Sequence, residues 1–169
     1  YVPSPGLMEV REVIAEHQSD VHNKNISPEN VVFTPGAKPI MFFTIMALIE
    51  PGAEVIYPNP GFPIYESMIN YVGGKAVPME LKEEKGFNAD VDLIEQSISD
   101  KTKLIILNSP NNPCGSVMES SDMKRVADIA KEKDIVILTD EVYKDLYFEG
   151  SHNSVYDYDG MEENVVILD

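Results

Sequence analysis

Asn112, Asp140 and Tyr143 are the residues whose types and spacing first suggest chemistry. Asn112 lies in Asn108-Ser-Pro-Asn-Asn-Pro-Cys-Gly115, and the other two lie in Thr139-Asp-Glu-Val-Tyr143. Each segment ends an apolar run, and a single helical stretch separates the two. An amide, a carboxylate and a phenol therefore reach neighbouring strand ends. A carboxylate at a buried strand end is costly unless it meets a cation or several donors. A protonated ring nitrogen meets that need, and the opposite charge favours its protonation by roughly 1–3 pKa units. A phenolic oxygen on the same ring would accept from Asn112 and Tyr143. Taken singly, each residue also has a plain reading. Asp140 would cap a helix starting at Glu141, Asn112 would form a turn before Pro, and Tyr143 would be a core or edge aromatic.

Two further segments suit a flat anionic ligand. Thr34-Pro-Gly-Ala-Lys38 joins a strand-like run to an apolar helix. The amides at a helix start, at the positive end of its dipole, suit a phosphate, and Gly36 permits close approach. Alone it reads as an ordinary strand-to-helix turn, and it has neither P-loop nor dinucleotide-binding spacing. In Pro58-Asn-Pro-Gly-Phe-Pro-Ile-Tyr65 a rigid loop holds Phe62 at a helix start. That ring would stack on a heterocycle, or simply seal its helix against the sheet.

The elements behind these segments alternate. Helices are predicted over residues 7–17, 37–49, 62–71, 90–98 and 119–132, with Asp90 as a cap and a short capped turn at Ser27-Pro-Glu29. Strands are predicted over 30–34, 54–57, 75–81, 103–107, 135–138 and 165–168. The last three are runs of Ile, Leu and Val, as in strands covered on both faces of a parallel sheet. Strands separated by single helices indicate an α/β fold, with ligands beyond the C-terminal strand ends.

Composition narrows the function. The 169 residues carry a formal net charge of −16, which argues against nucleic acid and anionic membrane surfaces as partners. No apolar stretch reaches spanning length. The single Cys114 permits no internal disulfide or Cys-based metal cluster. A cytoplasmic setting fits. The missing initiator Met and the closing run Val165-Val-Ile-Leu-Asp169 suggest a piece of a longer polypeptide.

Together, in this order and on these elements, the four segments resemble the class I/II aminotransferases, fold type I enzymes that use pyridoxal 5'-phosphate (PLP). The resemblance implies a three-layer αβα sandwich around a mostly parallel sheet, with residues 1–169 as part of the large, PLP-binding domain. It implies backbone donors to the phosphate at Ala37 and Lys38 after Gly36. Phe62 would stack on the pyridine ring, and Asp140 would pair with its nitrogen. Asn112 and Tyr143 would donate to the phenolic oxygen, with Asn112 also near the substrate carboxylate. Tyr1 would reach the phosphate of a partner subunit, which implies a homodimer. Cis bonds are expected at Asn59-Pro60 and Asn112-Pro113.

Cys114 stands where that family has Thr, a swap expected to be neutral. The Schiff-base lysine and the small C-terminal domain are expected outside these residues. Lys38 would act through its backbone, and Lys144 is expected to face away from the strand end that carries Asp140. The implied activity moves an amino group between an amino acid and a 2-oxo acid. Other fold type I activities (a C–S β-lyase or a cyclopropane-forming synthase) and a PLP-binding regulatory domain rest on the same contacts. A dinucleotide-binding domain fits the alternation but lacks its glycine fingerprint.

Overall fold

Runs of Ile, Val and Leu have no polar face to turn to water, so they pair in the middle of the structure with helices above and below. The computed structural model describes residues 2–146, 148 and 152–169, in two units, Tyr1–Ile40 and Met41–Asp169. In the second unit five strands pair in parallel: β1 (Glu54–Asn59), β2 (Lys75–Glu80), β3 (Thr102–Asn108), β4 (Val136–Asp140) and β5 (Val165–Leu168). Their order is β2-β1-β3-β4-β5. The chain thus runs outward from β1 to β2, then returns to β3 on the other side of β1. In open α/β sheets ligands bind beyond the strand ends where the order reverses in this way.

Successive side chains on a strand face opposite ways. Ile56, Ile105, Leu107 and Ile137 share a core with Val91 and Ile94 of α4 (Val91–Ser97) and with Met123 and Val126 of α5 (Ser120–Lys133). Leu138 and Asp140 face the other way. On that side lies α3 (Ile64–Tyr71), whose fully buried Tyr65 reaches Asp140. Helices therefore cover both faces of the sheet, giving the expected α/β three-layer arrangement.

Three local expectations fail for identifiable reasons. β1 continues through Pro58 instead of stopping at Tyr57. Asn59 O accepts from Leu81 N on the β2 side, so Pro58 turns its missing donor toward β3, where pairing has already ended at Ile56. Phe62 precedes α3 rather than starting it. Gly61 lies between the cis Asn59-Pro60 bond and that helix, where a Cβ would fall 2.2 Å from Pro58 O, so no larger residue fits. Beyond Asp140 there is no helix at Glu141; Val142–Asp145 forms a turn closed by Lys144 N donating to Glu141 O at 2.8 Å.

In the first unit α1 (Met8–His22) is longer than predicted and ends at Asn23, which has the left-handed φ of 49°. The stretch 30–34 forms no strand. Its carbonyl at Val31 accepts instead from Nε of the buried Arg11 at 2.8 Å, and Phe33 N donates to Pro5 O at 2.9 Å. With its backbone served by a side chain and a loop, the segment needs no sheet. Ser27 caps the 3-10 turn Pro28–Asn30 by accepting from Glu29 N. Among the described residues no helix is long and apolar enough to cross a membrane.

Candidate functional site

Asp140 ends β4 with a side chain that is only 5% exposed. Its carboxylate accepts from the Tyr65 hydroxyl and, at 3.4 Å, from Val142 N. Both donors are neutral, and none of the ion pairs among the described residues includes this carboxylate. Burial therefore pushes its pKa above the ordinary Asp value, against the lowering effect of the Tyr65 bond. Burial first, then the adjacent Asp140, holds the Tyr65 hydroxyl protonated far above the usual phenol range. Phe62 stands edge-on to the Tyr65 ring, with centroids 6.1 Å apart and planes at 81°. A half-buried aromatic is thus tied to the buried acid through one tyrosine.

The amide arrives from β3. Asn108 is the register partner of Asp140 and donates from Nδ2 to its carbonyl at 3.0 Å. Asn108 Oδ1 accepts from Asn112 N at 2.7 Å. A single carboxamide therefore joins the end of β4 to the loop carrying Asn112. Asn112-Pro113 is cis as expected, and Ser109-Pro110, which was not predicted, is cis as well. Cys114 N donates to Asn111 Oδ1 at 3.1 Å, and the thiol is half-buried.

Tyr143 leaves on the turn beyond Asp140, half-buried and near enough to Tyr65 to raise its pKa further. This excursion is anchored at its base by Glu141, a carboxylate only 1% exposed. Its Oε1 accepts from Thr139 Oγ1 at 2.9 Å and from Ser154 Oγ at 2.7 Å. Its Oε2 lies 2.6 Å from His152 Nε2. Lys144 Nζ pairs with Asp169, the residue after Leu168, which is the register partner of Asp140.

In the first unit Gly36 adopts a φ of 97°, which L side chains rarely adopt. Thr34 shapes this turn: its Oγ1 donates to Gly36 O at 2.6 Å, and Gly36 N donates to Thr34 O at 2.8 Å. Ala37 and Lys38 then open α2 (Ala37–Leu48), whose first-turn amides have no partner within the helix. Tyr1 lies outside the described residues.

Tyr65, Asn108 and Glu141 were missed by reading the sequence for chemistry. Tyr65 carried a signal, since it stands three residues after Phe62 at the start of a helix. Asn108 had one too, as the last residue of an apolar strand. Glu141 had none, because its partners His152 and Ser154 are reached only through the excursion.

A sequence model of the family described as "Aminotransferase class I and II" matches residues 1–168. The chain belongs to this family. Among its aminotransferase relatives, the probable aspartate aminotransferase of Methanocaldococcus jannaschii is 38% identical over 154 residues, which is 91% of this chain and 40% of that protein. The aspartate aminotransferase of Thermus thermophilus with maleate superposes with a TM-score of 0.94 at 33% identity, covering 99% of this chain and 43% of that one. The aromatic aminotransferase of Pyrococcus horikoshii does so at 0.94 and 34%, covering 99% and 45%. The chain thus spans well under half the length of these aminotransferases.

Proposed function

We propose that the protein moves an amino group between an amino acid and a 2-oxo acid using PLP, and that these residues form part of its large, cofactor-holding domain. The observation that carries this reading is Asp140, a buried carboxylate served only by neutral donors. A protonated ring nitrogen would supply the positive partner it lacks, so the residues present fit the cofactor. The relatives differ in the substrate that their names give, aspartate or aromatic, and agree on amino transfer.

When bound, PLP supplies an electron sink for the electrons released at the substrate Cα. Asp140 would stay ionised and hold the ring nitrogen protonated, with Tyr65 fixing the orientation of its carboxylate. Asn112 and Tyr143 would donate to the phenolic oxygen, and Asn112 would also stand near the substrate carboxylate. Phe62 would stack on the ring and exclude water from one face. Gly36 and the backbone of Ala37 and Lys38 would receive the phosphate at the start of α2. Tyr1 would complete the phosphate site of a partner subunit, making the protein a two-fold homodimer. A cytoplasmic setting belongs to the same reading.

Supplying the complete protein with amino acids, 2-oxoglutarate and PLP tests it: glutamate and a new 2-oxo acid are expected. Ammonia released without glutamate would overturn amino transfer. An active monomer in gel filtration would overturn the shared site. The 169 residues by themselves are expected to bind PLP without turnover: Lys144, the lysine nearest Asp140 in sequence, is held by Asp169.

A further inference from the structure

A small cavity lies at the reversal point between β1 and β3, lined among others by Pro58, Asn88, Ser109, Asn111, Ser116 and Met118. Asn111 is 6% exposed. Its carboxamide has a defined orientation, because Oδ1 accepts from Cys114 N at 3.1 Å. Its Nδ2 has no hydrogen-bond partner, the only buried side-chain nitrogen or oxygen in that condition among the described residues. Proteins seldom leave such a donor unpaired.

Size and polarity identify the occupant. A water needs about 10–15 Å³ of such space, and the cavity offers about 20 Å³. That is room for a water. Two other lining groups have bonding capacity left. Ser109 Oγ accepts from Met118 N at 3.0 Å and keeps its own proton to donate. Ser116 Oγ donates to Phe87 O at 2.7 Å and keeps a lone pair to accept. Buried waters use two to four such partners.

We propose that this cavity is a built site for one resident water, which accepts from Asn111 Nδ2 and completes the loop that presents Asn112. The loop is otherwise tied to itself, Asn111 N donating to Ser116 O at 2.8 Å and Gly115 N to Asn111 O at 2.7 Å. The water joins this closed turn to the sheet edge. Its presence does not depend on the cofactor.

A crystal structure of the chain at a resolution that shows ordered solvent tests this. The expected result is a water within about 2.7–3.2 Å of Asn111 Nδ2, together with a nuclear magnetic resonance cross-peak between long-lived water and the Asn111 side-chain amide protons. Asn111→Leu, which fills the space and removes the donor, should lose the water. A dry cavity, or Nδ2 bonded directly to a protein carbonyl, would overturn the proposal. Both outcomes are readable in the unmutated chain, so the test survives a variant that fails to fold.

Discussion

Asp140 makes the empty fold and the proposed ligand want opposite things. Its folded pKa is raised by burial, so the folded chain binds this proton more tightly than the unfolded chain does. Its contribution is then most favourable in acid. It falls as pH rises from the unfolded carboxylate value, about 3.9, through the higher folded value. Asp140→Asn should flatten that fall and stabilise the empty chain at pH 7 by about 1–3 kcal/mol, as read from urea unfolding between pH 4 and 7. The same change should weaken PLP binding by about tenfold or more, equivalent to roughly 1.4 kcal/mol. Parallel stability curves for the two chains would show that the carboxylate is not desolvated as described. Tyr65→Phe removes the one side-chain donor to this acid. It should cost about 1–3 kcal/mol near neutrality, with a smaller loss in acid, where the carboxylate is protonated. Asp140 was legible from the sequence because an acid directly after an apolar strand demands a partner. Tyr65 was hidden because its role depends on the sheet face that α3 covers.

At the level of elements, what the sequence showed depended on whether backbone or side chain decided the outcome. The apolar runs of β3, β4 and β5 were legible because nothing but a covered sheet accommodates them. Residues 30–34 looked the same, yet the Arg11 side chain took the Val31 carbonyl and the strand did not form. Pro58 argued for a loop, and only the register between β1 and β3 shows why it is tolerated. Beyond β4, Glu141 spends its carboxylate on Thr139, Ser154 and His152, and a turn replaces the helix. That anchor should be costly to remove. Glu141→Leu strands two hydroxyls and an imidazole, and a loss of about 2–3 kcal/mol is expected. Faster hydrogen exchange should appear around Ser154–Asp157, whose 3-10 turn Ser154 caps. Unchanged exchange there would show that the excursion is held by something else.

For the whole molecule the dominant fact is charge, 29 acidic residues against 13 basic. Exposed pairs such as Lys124–Asp128 and Arg125–Asp92 contribute little each and weaken in salt. The uncompensated repulsion is the larger quantity, so salt should act mainly by screening it. The melting temperature is therefore expected to rise between low salt and about 0.5 M NaCl, where the Debye length is only a few ångströms. A falling midpoint would mean that the ion pairs dominate. Periodicity allowed the α/β class to be read directly, whereas the joining of the strand ends by a side chain was invisible. That joint has a thermodynamic signature. Asn108 holds Asp140 with one end of its amide and Asn112 with the other, so the two cannot be perturbed independently. Asn108→Ala therefore releases both backbone groups at once, and a loss of about 1–3 kcal/mol is expected, with faster hydrogen exchange at the Asn112 amide, as if a single hinge pin had been drawn.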